Sequence, residues 1–156
     1  MSLNIVLYQP EIPANTGNIA RTCAATNTSL HLIRPLGFST DDKNLKRAGV
    51  DYWDSVDVHY HDSLEDFLTY AGQDEIYLIE TYSDKPYSAH DFSGDRTMYF
   101  MFGRESSGLP KDFATARKDK CLRIPQSDKV RSLNLSNSAA IIIYEVLRQR
   151  GFENLK

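Results

Sequence analysis

The chain has 156 residues, 41% of them apolar, and a formal net charge of −3 at pH 7, which fits one domain spanning residues 1–156 and leaves no room for a second. The negative balance argues against nonspecific adhesion to polyanions, so any nucleic-acid surface must be a local patch. The first residues lack the features of a secretory signal and no apolar run has the length of a membrane span, so we expect a soluble, cytoplasmic protein.

Short apolar runs alternate with helical patterns along the chain, which predicts an α/β fold with a mainly parallel, buried sheet flanked by helices. In chain order, the predicted elements are strand Leu3–Tyr8, helix Gly17–Thr26, strand Ser29–Ile33, helix Ser63–Ala71, strand Ile76–Glu80, strand Thr97–Phe102, helix Lys111–Lys118, strand Cys121–Ile124 and a last helix near Ser136–Arg150.

The last helix carries a wide apolar stripe at the i, i+3, i+4, i+7, i+8 spacing. The stripe consists of Ala139, Ile142, Ile143, Val146 and Leu147. Either the sheet or the same helix of a second copy could cover it. Because a two-fold partner is the commonest way for a small enzyme to complete itself, we expect a homodimer.

Isolated charged and metal-binding residue types give weaker signals. Lys43, Lys46 and Arg47 would lie on one face of a short helix, as either a solvated surface or a patch for phosphates. Cys23 and Cys121 are expected to be free, buried thiols. The four histidines form no metal-ligand pattern, so no metal is expected, and we place His59 and His61 at the surface.

In a parallel sheet, ligands lie beyond the carboxyl ends of the strands, which directs attention to three segments there. The first segment, residues 10–22, follows the opening strand. Asn15 or Thr16 could cap the next helix, with Arg21 one turn inside it. Such a helix start is either an anion site with an Arg beside it or a well-capped helix with a surface Arg.

The second segment, residues 102–110, follows the strand Thr97–Phe102. Gly103 and Gly108 allow a tight turn and a close approach of backbone to a ligand, and Glu105 lies inside that turn. The spacing matches neither G-x-G-x-x-G nor G-x-x-x-x-G-K-[ST], so dinucleotide and nucleoside-triphosphate binding are disfavoured.

The third segment, residues 124–137, is polar and leads into the last helix. Ser136 or Asn137 could cap that helix. Ser132 and Asn134 are not needed for capping, which makes them candidates for ligand binding. No Ser-His-Asp or Cys-His spacing suggests covalent catalysis.

Together, the three segments resemble the three motifs of the SPOUT superfamily of RNA methyltransferases. The motif residues are Asn15-Thr16-Gly17-Asn18 with Arg21, then Phe102-Gly103-Arg104-Glu105 with Gly108-Leu109, and then Ser132-Leu133-Asn134-Leu135-Ser136-Asn137. The similarity spans essentially the whole chain. The opening LYQPEIPANTGNIARTCA is most similar to the TrmL (YibK-like) family, which methylates the ribose of the wobble pyrimidine in certain leucine tRNAs.

The resemblance implies a C-terminal deep trefoil knot, a tRNA anticodon stem-loop as substrate and S-adenosylmethionine as methyl donor. Backbone groups near Ile79, Gly103, Ile124, Ser132 and Leu133 would hold the donor. After Ile79, relatives often have threonines and a basic residue, whereas this chain has Glu80, Thr81, Tyr82 and Ser83.

By the same match, the expected catalytic residues are Arg21, Glu105, Ser132 and Asn134, and the expected substrate-binding residues are Asn15, Arg21, Lys46 and Tyr144. The family assigns proton abstraction to the position of Arg21, but a guanidinium keeps its proton in proteins and is therefore a poor base. Alternatively, Arg21 holds the adjacent phosphate, and the phosphate or a water accepts the proton. Two rival hypotheses are a non-catalytic flavodoxin-like nucleotide-binding module and an RNA-binding protein without turnover.

Overall fold

The structure is a computed structural model that describes residues 2–41 and 43–156, without the side chains of Lys46 and residues 48–51. The prediction that the Lys46 side chain binds substrate therefore lies outside the described residues.

Six parallel strands form one sheet in the order β3-β2-β1-β5-β4-β6. The strands are β1 Leu3–Tyr8, β2 Ser29–Ile33, β3 Val58–His61, β4 Glu75–Ile79, β5 Met98–Phe102 and β6 Cys121–Leu122. The expected α/β sheet is confirmed, with β1 and β2 at their predicted bounds. Strand β3 was not among the predicted elements, because its sequence VHYH alternates apolar and polar residues over only four positions.

The helices are α1 Pro13–Thr26, α2 Lys43–Trp53, α3 Leu64–Ala71, α4 Lys111–Ala116 and α5 Leu135–Gln149. Ser63 caps α3 by accepting a hydrogen bond from the N–H of Asp66, and Gly72 ends this helix at a φ of 61°. The predicted bounds of α3 are thus confirmed to within one residue. Short 3-10 turns lie at Tyr87–Ala89 and Lys118–Lys120.

Helix α1 begins four residues before its predicted start. Pro13 occupies the first turn, where a missing N–H costs nothing, and Ile12 precedes it without a side-chain cap. The prediction that Asn15 or Thr16 caps this helix is wrong, since both lie inside it and are buried. Arg21 consequently lies more than two turns into α1, not one.

Helices cover both faces of the sheet. One core joins α1 and α5 to the side chains of one face, and the other joins α3 and α4 to the opposite face. The apolar stripe of α5 is buried in the first of these cores. The chain itself therefore covers the stripe, and the argument that the stripe needs a second copy is wrong.

Buried histidines connect β1, β2 and β3. His31 is fully buried; its Nδ1 lies 2.9 Å from Nε2 of His61 and its Nε2 lies 3.0 Å from Oδ1 of Asn4. His61 is 7% exposed, so its predicted surface position is wrong. His59 is partly exposed, with its Nε2 2.8 Å from Asp57.

The two cysteines are free and buried, as predicted, and burial raises the pKa of Cys23 to about 12. None of the helices in the described part of the chain combines the length and apolar character needed to cross a bilayer. In the same part, His, Cys, Asp and Glu side chains form no group of three that could hold a metal ion.

Candidate functional site

A cleft of about 490 Å³ lies at the carboxyl edge of the sheet, beyond β1, β4, β5 and β6. All five residues predicted to bind a cofactor line this cleft: Ile79, Gly103, Ile124, Ser132 and Leu133. Asn15, Glu105 and Asn134 line it as well. The cleft thus brings the three segments into one place, although they are separated by up to 119 positions in the chain.

Glu105 joins the second segment to the first. Its Oε1 accepts a hydrogen bond from the N–H of Glu11 and its Oε2 accepts one from the N–H of Ile12, both at 2.9 Å. The side chain of Asn15 donates a third, at 3.3 Å. A carboxylate of the chain itself therefore binds these amides at the start of α1, where an external anion was one of the two expectations.

Glu11 makes the reciprocal connection. Its carboxylate accepts hydrogen bonds from the N–H and the hydroxyl of Ser106, at 2.8–2.9 Å. These bonds favour the ionised form and hold the pKa of Glu11 below its usual value. Two carboxylates thus cross-link the first and second segments in both directions.

Asn134 joins the third segment to the first. Its Oδ1 accepts from the N–H groups of Ser136 and Asn137 and so caps α5, while its Nδ2 donates to Oδ1 of Asn15 at 3.0 Å. The predicted caps Ser136 and Asn137 are therefore wrong, as is the view that Asn134 is not needed for capping. Asn15 completes a hydrogen-bonded chain from Asn134 to Glu105.

Gly103 is required by the backbone of its own turn. A Cβ at this position would lie 2.2 Å from the carbonyl carbon of Gly108 and 2.3 Å from the nitrogen of Leu109. Gly108 itself has a φ of 73°, which disfavours other residues. The sequence predicted a close approach between Gly103 and a ligand. The structure shows that Gly103 lies close to the backbone on the other side of its own turn.

Glu80 is a functional candidate that the sequence analysis did not select. Its Oε1 accepts a hydrogen bond from the N–H of Leu109 at 2.6 Å, so this side chain, which lines the cleft, also supports the second segment. Burial raises the pKa of Glu80, partly offset by bonds from the N–H groups of Leu109 and Thr81. Tyr82 also lines the cleft, and burial and Glu80 raise its pKa to about 12.

The remaining walls leave polar groups for a ligand. Ile79, Phe102, Ile124, Leu133 and Leu135 supply apolar surface, and Lys111, Arg131 and Ser132 supply exposed polar groups at the rim. A cleft of this size, lined by both apolar and polar side chains, can hold a small molecule.

Arg21 and Tyr144 lie outside the lining of the cleft. Arg21 is exposed on α1, and its Cζ is 5.0 Å from the centroid of the Tyr52 ring on α2. A contact partner for Arg21 was not predicted. Tyr144 is 45% exposed on the outer side of α5, rather than packed into the core.

Comparison with known proteins gives consistent matches. A model of the SpoU rRNA Methylase family matches residues 2–144. A Geobacillus stearothermophilus protein, provisionally named tRNA (cytidine(34)-2'-O)-methyltransferase, is 58% identical over 156 residues, or 99% of this chain and 99% of the relative.

Solved structures match over almost the whole chain. One described as giving insights into the 2-OH methylation of C/U34 on tRNA is 43% identical, covers 95% of each chain and has a TM-score of 0.88. The SpoU methyltransferase AviRb of Streptomyces viridochromogenes, solved with the cofactor AdoMet, is 24% identical with a TM-score of 0.79. That match covers 95% of this chain and 60% of AviRb, and it shows a shared fold.

Proposed function

Because the chain belongs to the SpoU rRNA methylase family, we propose that it methylates the ribose 2'-hydroxyl of the wobble nucleotide of tRNA, a cytidine or uridine at position 34, in the cytoplasm. The observation that carries the proposal is the high identity, over the full length, to relatives named for this reaction. The cleft provides the physical support, since the three segments that resemble the methyltransferase motifs line it together.

The proposed cofactor is S-adenosylmethionine, which fits the cleft in size and in the mixture of apolar walls and polar groups. When bound, it supplies an activated methyl group and leaves as S-adenosylhomocysteine. The expected contacts are the backbone groups of Ile79, Gly103, Ile124, Ser132 and Leu133. Among the described residues, Ser132 makes no hydrogen bond to the rest of the chain, which leaves its hydroxyl available to a ligand.

Glu105, Asn15 and Asn134 keep the cleft in shape for this chemistry. Each uses its polar atoms on the other segments, as described above. A displacement reaction depends strongly on the placement of its two reacting groups, so cross-linked loops reduce the entropy lost in reaching the reactive geometry. We therefore assign Glu105 and Asn134 to positioning, and Asn15 to both positioning and substrate contact.

Arg21 is proposed to act on the RNA, by binding the phosphate beside the target ribose or by assisting proton loss from its 2'-hydroxyl. An exposed guanidinium presents a fork of donors that suits phosphate. Tyr144, also exposed, is proposed to contact the anticodon loop.

We still propose a homodimer, although the apolar stripe of α5 no longer supports it; the argument is now the position of Arg21. Arg21 is outside the cleft lining of its own chain, so a partner that presents its Arg21 would complete the site. We also propose the trefoil knot. The chain leaves β6 at the edge of the sheet and returns to pack α5 on α1 and β5, which takes it past the loops after β4 and β5.

An RNA that lacks the 2'-oxygen of the target nucleotide tests the proposed reaction. The purified protein is incubated with labelled S-adenosylmethionine and two anticodon stem-loop RNAs, one with cytidine and one with 2'-deoxycytidine at position 34. We expect label only in the first, because the second lacks the accepting hydroxyl. Equal labelling of both RNAs, or of neither, would contradict the proposal.

A further inference from the structure

A second cavity, of about 560 Å³, lies beyond the carboxyl ends of β2 and β3. It is lined by Arg34, Pro35, Leu36, Phe38, Thr40 and Tyr60. Tyr60 is 37% exposed, and Arg34 lies over its ring with Cζ 4.8 Å from the centroid. Burial raises the pKa of Tyr60, and the nearby side chains of Thr40 and Arg34 partly offset this. The cavity therefore presents a flat, partly apolar surface to solvent, with Arg34 against the ring of Tyr60.

The second cavity is close to the cleft. The N–H of Gly37 donates to the carbonyl of Pro10 at 2.9 Å, and a Cβ on Gly37 would lie 2.9 Å from the Cα of Glu11. Glu11 is bonded in turn to Glu105, and Ile12 lines the cleft. The loop that carries Phe38 and the wall of the cleft are thus in contact through residues 10–12.

Charge around the second cavity suits a nucleotide. Arg34 has one nitrogen 2.9 Å from Asp62, and both side chains are well exposed, so this ion pair contributes little and can be exchanged for a phosphate. The exposed cations Lys43 and Arg47 lie on α2, which begins three residues after Thr40. Asp62 is the carboxylate that competes for Arg34.

We propose that this second cavity binds an unpaired nucleotide of the RNA next to the one being methylated, with the base on the Tyr60–Arg34 surface and the phosphate on Arg34. Aromatic rings and guanidinium planes are the usual stacking partners of unpaired bases. The position beside the cleft suits a neighbour of the target nucleotide. The inference rests on the proposed function for the identity of the RNA.

The test measures affinity for an anticodon stem-loop RNA with cytidine at position 34 by fluorescence anisotropy at several salt concentrations. Tyr60→Leu removes the stacking surface and should weaken binding about 5- to 100-fold without changing the salt dependence. Tyr60→Phe keeps the ring and should retain most of the affinity. Arg34→Gln should weaken binding and reduce the slope of log K against log salt by about 0.7.

One substitution should act in the opposite direction. Asp62→Asn releases Arg34 from its ion pair and should strengthen RNA binding. The matched control is Asp74→Asn, which removes another exposed carboxylate, directly before β4 and three strands away from β2 in the sheet, and should change binding less. Calorimetry with S-adenosylmethionine verifies that each variant keeps an intact cleft.

Binding by Tyr60→Leu within twofold of the wild type, or no measurable RNA binding by the wild type, would overturn the proposed nucleotide site. Failure of the proposed function has a different signature. In that case the wild-type protein binds RNA in a Tyr60-dependent way but transfers no methyl group to position 34. Conversely, normal methylation with Tyr60-independent binding would overturn the nucleotide site alone.

Discussion

At the scale of single residues, Arg21 makes few contacts with its own chain. Its described contact is the Tyr52 ring, and a cation–π contact at an exposed site contributes only about 0.5–1 kcal/mol. We therefore predict that Arg21→Ala lowers methyl transfer by orders of magnitude, with a small loss of stability and unchanged affinity for S-adenosylmethionine. Single-turnover kinetics, thermal unfolding and calorimetry measure the three quantities. Wild-type turnover by this variant would remove Arg21 from the active site.

Arg21→Lys separates the two roles proposed for this residue. Lys keeps the charge, loses the bidentate fork and releases a proton more easily. Substantial activity that rises with pH would favour a base at this position. Near-complete loss at every pH would favour phosphate binding by the guanidinium.

His31 should make stability depend on pH. Asn4 uses its side-chain nitrogen as a donor to Ser2 and Met98, so its Oδ1 must accept from Nε2–H of His31, which leaves Nδ1 as acceptor for His61. This arrangement needs a neutral His31. Burial, followed by the charges of His59 and His61, lowers the pKa of His31 from 6.5 to about 3.

The sign of the effect follows from these values. Below pH 6.5 the unfolded chain takes up a proton at His31 while the folded chain does not, so this residue makes the protein less stable as pH falls from 6.5 towards 3. The slope should approach ~1.4 kcal/mol per pH unit. Urea unfolding across this range measures it, and nitrogen NMR of the imidazole measures the titration. A His31 that titrates near 6.5 in the folded protein would contradict the prediction.

At the scale of elements, the turn after β5 depends on the absence of a side chain at Gly103. Even the methyl group of Gly103→Ala would collide with the backbone of Gly108 and Leu109. The turn would have to open and lose the backbone hydrogen bonds between Arg104 and Gly108. We predict a loss of about 1–3 kcal/mol in unfolding free energy and weaker cofactor binding.

Ser107→Ala is the matched control for stability, because its hydroxyl accepts only a long bond of 3.4 Å from Arg104 in the same turn. Denaturant unfolding and calorimetry compare the two variants. Wild-type stability together with normal cofactor affinity in Gly103→Ala would show that the turn tolerates a side chain there.

The sequence predicted those elements that are specified by residues close together in the chain. Strands β1, β2 and β5 are mainly apolar and buried on both faces because helices cover both, and Ser63 and Gly72 mark the ends of α3. The start of α1 was missed because its cap is tertiary. The carboxylate that binds the amides of Glu11 and Ile12 belongs to Glu105, more than 90 positions away in the chain.

The sequence predicted which residues line the site, but not how those residues contact one another. The resemblance of three motifs selected eight residues that do line the cleft, Asn15, Ile79, Gly103, Glu105, Ile124, Ser132, Leu133 and Asn134. It could not indicate that Glu105 and Asn134 use their polar atoms to join the three segments, because those contacts depend on how the segments fold together. The sequence feature that distinguished Glu80 was its departure from the family pattern, and this departure did not indicate a role.

At the scale of the whole molecule, a homodimer with shared sites makes a prediction that a monomer does not. Arg21→Ala and Leu133→Trp, which fills the cleft, should each inactivate the protein. In a heterodimer of the two, one site would combine an intact cleft with an intact Arg21. We expect about half of the wild-type activity per dimer.

The heterodimer is obtained by co-expressing the two chains with different tags and purifying on both. Sedimentation confirms its size. If each cleft instead works with the Arg21 of its own chain, both sites of the heterodimer are defective and no activity returns, which would contradict the shared site.

The central claim, methylation of the wobble ribose of tRNA, is tested most directly by nucleoside and fragment mass spectrometry of tRNA from a strain that lacks this protein. The account predicts that 2'-O-methylation at position 34 is absent from particular tRNAs, returns with the wild-type protein and does not return with Arg21→Ala. Unchanged methylation at that position in the strain without the protein, or a methyl group missing from another nucleotide instead, would contradict it.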